Sequence, residues 1–142
     1  MKVLVTGANG HIGSNVVRSL LAKDYQVKAF IRKGADTRGL DGLDIEYCYG
    51  DVMKVETLEE AVVGCDAVIH LAARVHQMNE NSDDPLTIYR ETNADATLAL
   101  AKACVEFGID NFIFLSSIKV NGEGSDSPYS EDDAPAPLDP YG

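Results

Sequence analysis

The chain has 142 residues, enough for one domain with a core of its own, and is 45% hydrophobic and 25% charged. A net charge of -11 excludes general nucleic-acid binding, which needs a basic surface. No apolar run reaches the length of a membrane span. The first residues read as a strand rather than a signal peptide. Cys48, Cys65 and Cys104 are scattered, without metal-ligand spacing, and read as reduced core thiols of a cytoplasmic protein. His11, His70 and His76 likewise lack ligand-type spacing with any cysteine, so no metal site is expected.

The chain opens on Lys2–Gly13, KVLVTGANGHIG. Val3, Leu4 and Val5 form the short apolar run of a buried parallel strand. It breaks into Thr6-Gly7-Ala8-Asn9-Gly10-His11-Ile12-Gly13, with glycines spaced G-x-x-G-x-x-G. Apolar residues then recur at helical spacing through Ile12, Val16, Val17, Leu20 and Leu21, predicting a helix from about Ile12 to Lys23. Strand, glycine turn and helix together aim free backbone N–H groups and a positive helix end at a phosphate. Such a glycine run is weak evidence alone. Placed directly between a strand and a helix, it predicts a dinucleotide site.

Asp24-Tyr25 turns the chain into a second strand, Gln26–Ile31. In a dinucleotide fold an acid at the end of this strand binds the adenosine ribose, whereas a basic residue accommodates the extra phosphate of NADP. Here Ile31 stands where the acid is expected, and Arg32 and Lys33 follow. The pair favours NADP(H) over NAD(H), the bland alternative being ordinary solvated loop charges. Residues 34–42 read as a loop with room for one helical turn, and Ile45–Tyr49 as a third strand. Gly50-Asp51-Val52 follows, where Asp51 could simply cap a helix start. A helix is predicted over Val55–Val63 with Leu58, Ala61 and Val62 inward.

Ala67–His70 reads as a fourth buried strand ending in Leu71-Ala72-Ala73, whose small residues let backbone approach a flat ligand. His70 reads as a satisfied core histidine. Arg74–Asp84 is polar and irregular, and from Pro85 a long helix runs to about Phe107, its apolar content supplied by Leu98, Ala99, Ala101, Ala103 and Val105. Asn93 lies inside that helix, where asparagine is a poor former, so it is either exposed or holding something by hydrogen bonds. After Gly108, Asn111–Leu115 is a fifth strand, with Ser116-Ser117 at its carboxyl end. Thr6, Asp51, Ala72 and Ser117 thus fall on one rim of one sheet, where open α/β sheets bind ligands. Gly122–Pro140 is acidic, proline-containing and aperiodic, and reads as a loop on the substrate side before Tyr141-Gly142.

Assembled in this order, the motifs resemble the extended short-chain dehydrogenase/reductase family, in its NAD-dependent epimerase/dehydratase branch acting on nucleotide sugars. The resemblance runs from T-G-A-N-G-H-I-G to D-P-Y-G. It implies an α/β fold, a Rossmann-type three-layer αβα arrangement around a parallel sheet. Position by position it gives the family's glycine motif at Gly7, Gly10 and Gly13 and the adenine-side pair at Asp51-Val52; Asn9, His11 and Ile12 within the turn, and Arg32 from its place after the second strand, are expected cofactor contacts as well. Leu71, Ala72 and Ala73 would pass beneath the cofactor, with Asn93 as the family's structural asparagine. Ser117 corresponds to the catalytic serine of F-x-S-S-x-x-V-Y-G, although Asn121 replaces that pattern's tyrosine. Tyr141 corresponds to the tyrosine of Tyr-x-x-x-Lys.

The S-S-I-K-V-N-G-E run and A-R-V-H at Ala73–His76 are most similar to bacterial UDP-sugar 4-epimerases and 4-reductases of surface-polysaccharide synthesis. The implied activity is hydride transfer at a sugar carbon, with Tyr141 as acid/base and Ser117 orienting the oxygen. A free tyrosine titrates near about 10, and the family's lysine lowers that value. That lysine would lie beyond Gly142, as would the last strands and the substrate-binding region. Residues 1–142 are therefore expected to be an incomplete NAD(P)-binding domain, truncated before the last strands and with little activity alone. The family commonly forms homodimers. Two other readings use the same residues: an NADP-dependent reductase of small carbonyl compounds, and a non-catalytic NAD(P)-sensing regulator.

Overall fold

The computed structural model describes residues 1–75 and 84–142. Strands β1 (Lys2–Thr6), β2 (Gln26–Ile31), β3 (Glu46–Tyr49), β4 (Ala67–His70) and β5 (Asn111–Phe114) form a single parallel sheet in the order β3-β2-β1-β4-β5. Helices α1 (His11–Leu21), α2 (Val55–Val62), α3 (Pro85–Tyr89) and α4 (Ala96–Glu106) connect them, with a π-helical segment, Arg90–Asp95, joining α3 to α4. Single 3-10 turns occupy Arg38–Leu40 and Ile118–Asn121. Among the described residues, no helix is long and apolar enough to cross a membrane.

Successive strand residues face opposite sides, which divides the core in two. Leu4, Phe30 and Val68 pack on one face with Leu58, Ala61 and Val62 of α2 and Leu100, Ala103 and Cys104 of α4. Val3, Val5, Val27, Ala29 and Ile31 pack on the other with Val17 of α1 and Leu40. Helix, sheet, helix is thus the Rossmann-type αβα sandwich that the alternation of strands and helices predicts. Cys65 and Cys104 are buried, Cys48 is half-buried, and all three are free thiols. Burial pushes each of them above the ordinary thiol value.

The expected elements recur with small shifts. Strands β2 and β4 have the expected limits, whereas α1 begins at His11 and stops at Leu21, short of Lys23. It stops there because Asp24 takes a left-handed φ of 60°, which turns the chain into β2. The long helix from Pro85 is interrupted by the π segment. Leu98 and Val105 are turned outward, 55% and 80% exposed, so Ala96, Leu100, Ala103 and Cys104 carry its core face instead. The Arg74–Asp84 loop lies largely outside the described residues, as does His76.

Candidate functional site

The site starts where β1 ends. Gly7 has a left-handed φ of +66°, and a Cβ there would sit 2.9 Å from the Ala72 nitrogen. A Cβ on Gly13 would lie 2.1 Å from the Gly7 carbonyl oxygen, so helix α1 approaches the turn this closely only with glycine. Gly10 is the N-cap residue of α1 and provides no side-chain cap. The first N–H groups of a helix have no intrahelical partner, so the amides of residues 11–13 face outward unclaimed by any capping side chain. This is a cradle for a phosphate, and its dimensions depend on absent Cβ atoms.

The neighbouring positions serve in different ways. Asn9 donates its side-chain amide to the Asp36 carbonyl at 3.0 Å, fastening the glycine turn to the loop after β2. His11 and Ile12 line an apolar groove of about 380 Å³ that runs along α1 past Asn15, Val16, Ser19 and Leu20. What these two residues offer the cradle is backbone. Arg32 and Lys33 are exposed at the end of β2. The nearby Asp36 carboxylate is paired with Arg38 at 2.6 Å, which holds its pKa down to about 2. Asp51 and Val52 are half-buried beyond β3. The Asp51 carboxylate accepts the Met53 amide at 3.0 Å, while the N-cap of α2 is Lys54, so Asp51 does not cap that helix.

The stretch of residues 71–74 is held at both ends. The Thr6 hydroxyl accepts the Leu71 and Ala72 amides, each at 3.1 Å. Asn93 accepts the Arg74 amide at 2.7 Å and donates to the Arg74 carbonyl at 2.8 Å. Asn93 is therefore the hydrogen-bonding residue that its place in a helix suggests, and its partner is backbone. His70 is 1% exposed, hydrogen-bonded to Thr6 and Thr97, and held down at about 4 by burial, as fits a core histidine.

The carboxyl end of β5 completes the rim. Ala72, Ala73, Asn93, Ser117 and Tyr141 converge on one cavity of about 300 Å³. Ser117 accepts the Lys119 amide at 3.3 Å as N-cap of the 3-10 turn. Tyr141 is placed by three groups that sequence reasoning passed over. The Asp139 carboxylate accepts the amides of Tyr141 at 2.9 Å and Gly142 at 2.8 Å. Lys119 grips the same carboxylate at 3.1 Å, and its other partner is Glu123. The Tyr89 ring lies 6.3 Å from the Tyr141 ring at 60°, with the Tyr89 hydroxyl donating to the Val75 carbonyl at 2.9 Å. The signal for Asp139 was the Asp-Pro pair, since an aspartate before a proline favours a turn in which its carboxylate takes up nearby amides. Tyr89 carried no comparable signal. Asn121 donates to the Asp133 carbonyl at 3.2 Å and so ties down the acidic loop. Among the described residues, no group of three or more His, Cys, Asp or Glu side chains is placed to hold a metal ion.

A parallel sheet of this order, with a glycine cradle after its first strand and polar residues along one rim, defines a Rossmann-type domain of the dinucleotide-binding class. The chain belongs to the NAD dependent epimerase/dehydratase family, whose model matches residues 3–142. It is 42% identical over 143 residues to a UDP-glucose 4-epimerase of Vibrio cholerae, covering 99% of this chain and 42% of that protein. Among solved structures it is similar to the UDP-glucose 4-epimerase of Thermus thermophilus in complex with NAD. There the TM-score is 0.84 at 29% identity, over 99% of this chain and 46% of the other. It is similar also to a UDP-glucuronic acid 4-epimerase of Bacillus cereus in complex with NAD, with a TM-score of 0.82 at 32% identity over 99% and 48%. The chain thus spans less than half the length of these relatives.

Proposed function

We propose that this chain supplies the nicotinamide-dinucleotide site and two reacting hydroxyls of an enzyme that epimerises, reduces or dehydrates a nucleotide sugar, with a UDP-sugar as substrate. The observation that carries the reading is the convergence of Ser117 and Tyr141 with Ala72 and Ala73 on one cavity at the carboxyl rim of the sheet. The outward amides of the α1 start would hold the pyrophosphate, and Asp51 and Val52 the adenine side. When bound, the nicotinamide supplies a hydride acceptor or donor. Ser117 hydrogen-bonds the oxygen on the reacting carbon and orients it. Tyr141 exchanges a proton with that oxygen through its phenol, fixed in direction by Asp139 below and Tyr89 beside it. The assembled enzyme works as a homodimer.

The two solved structures named above are complexes with NAD, while the exposed Arg32-Lys33 pair at the end of β2 favours a dinucleotide bearing a 2′-phosphate. Calorimetric titration of NADH and NADPH at equal salt, into this chain and its Arg32→Ala variant, tests the reading. Binding of both, with NADPH tighter and its advantage lost in the variant, is the expected result. Equal or tighter binding of NADH would remove the 2′-phosphate reading, and binding of neither would overturn the dinucleotide site itself.

A further inference from the structure

Hydrogen-bond counting gives the buried histidine a direction. A threonine hydroxyl has one hydrogen to give and two lone pairs to accept with. Thr6 uses both lone pairs on the Leu71 and Ala72 amides, at 3.1 Å each. Its hydrogen must then go to its remaining neighbour, His70 Nδ1, at 2.6 Å. Since Nδ1 accepts, the ring's single proton sits on Nε2. Nε2–H meets the Thr97 hydroxyl at 3.0 Å, and that hydroxyl gives its own hydrogen to the Asn93 carbonyl at 2.6 Å. Each member donates to the next, in the order Thr6, His70, Thr97, Asn93.

The chain closes on the backbone beside the cavity. Residues 71–74 begin on the Thr6 hydroxyl and end on the carboxamide of Asn93, the residue whose main-chain carbonyl ends the relay. Ala72 and Ala73 within this stretch line the cavity, and Gly7 packs against Ala72. Phe112 and Phe114 flank the imidazole with ring centroids at 6.3 and 5.9 Å, on a residue only 1% exposed.

We propose that His70 is a positioning residue for the cofactor: as the Nε2–H tautomer it joins the Thr6 hydroxyl to the helix at Asn93, and so fixes the backbone of residues 71–74 against which the dinucleotide lies. The inference rests on the dinucleotide reading above. Replacing His70 by phenylalanine keeps the bulk and removes both ring nitrogens. Glutamine restores an acceptor and a donor on one side chain. Thr97→Val removes the relay's next hydroxyl at constant shape.

Two measurements test it on the intact chain. Nitrogen-15 spectra of the imidazole identify which ring nitrogen carries the proton, and titration gives NADH and NADPH affinity with folding checked by circular dichroism. The expected results are a protonated Nε2, about a tenfold loss of affinity in His70→Phe and in Thr97→Val, and recovery in His70→Gln. A purely structural histidine would lower the melting temperature and leave the affinity of the folded protein unmoved. If His70→Phe does not fold, Thr97→Val decides alone. A proton on Nδ1, or full affinity in folded Thr97→Val, overturns the inference while the dinucleotide reading stands. A wild-type chain that binds neither dinucleotide overturns the reading and the inference with it.

Discussion

Acid should unfold this domain through His70 before it does so through the carboxylates. Burial alone holds the imidazole at about 4, against an ordinary value of 6.5. Between these values the unfolded chain carries a proton there and the native chain does not. The histidine's contribution is therefore whole above the unfolded value and is lost as pH falls toward the native one. Each pH unit between the two is worth about 1.4 kcal/mol, so the gap from 6.5 to about 4 amounts to ~3 kcal/mol. A domain of this kind has only about 5–15 kcal/mol in all.

Urea unfolding followed by circular dichroism, for the wild type and His70→Gln, reads this directly. Between about pH 7 and 4.5 the wild type should lose about 2 kcal/mol more than the variant. Asp36 and Glu46 are held low by Arg38 and Lys2, and they too lose their contribution in acid. That loss comes mostly below the unfolded carboxylate values of about 4, and it is common to both proteins. Parallel pH curves for the two proteins would refute the argument and show that the native imidazole titrates freely.

Gly13→Ala places a methyl 2.1 Å from the Gly7 oxygen and 2.8 Å from the Ala8 Cα, so α1 must back away from β1. The expected cost is about 1–3 kcal/mol despite alanine's better helix propensity, with weaker dinucleotide binding, and an unchanged melting temperature would contradict the packing. Asp139→Ala removes the acceptor for the Tyr141 and Gly142 amides and frees Lys119 from that partner. The loss is local, since the acceptor serves only the two amides that follow it in the chain. Nuclear Overhauser contacts between the Tyr89 and Tyr141 rings should vanish while the global unfolding midpoint holds, and their persistence would show that the cap does not place the tyrosine.

What could be read from the chain alone was whatever depends on near neighbours. The apolar runs of β2 and β4 are bounded by turn residues, and their limits were legible to the residue. The glycine turn was equally plain, because its spacing and its position between strand and helix are both local. Asn93 was legible as an anomaly but not as a clamp, since its partner Arg74 lies 19 positions away. The π segment around it was invisible for the same reason. Leu98 and Val105 supply part of the helix's apolar content, yet they face outward because Ala96, Leu100 and Ala103 set the inner side of α4. His70 could be placed in the interior, whereas the direction of its hydrogen bonds depends on Thr6, 64 residues earlier, and Thr97, 27 later.

The π segment has a consequence for how this helix can vary. In a π turn each carbonyl is matched five residues on rather than four, so Arg90–Asp95 accommodates about one residue more than an α-helical path would. Deleting a single residue there would let α3 and α4 fuse into one regular helix. Because the wide turn takes up that extra residue, Tyr89 and Leu100 would keep their relative facing, and what would be lost is the bulge on which Asn93 stands, with its clamp on Arg74. The helix is therefore keyed by length: it can tolerate new side chains at outward positions such as Leu98 and Val105, but not the loss of one residue from the segment that aims Asn93.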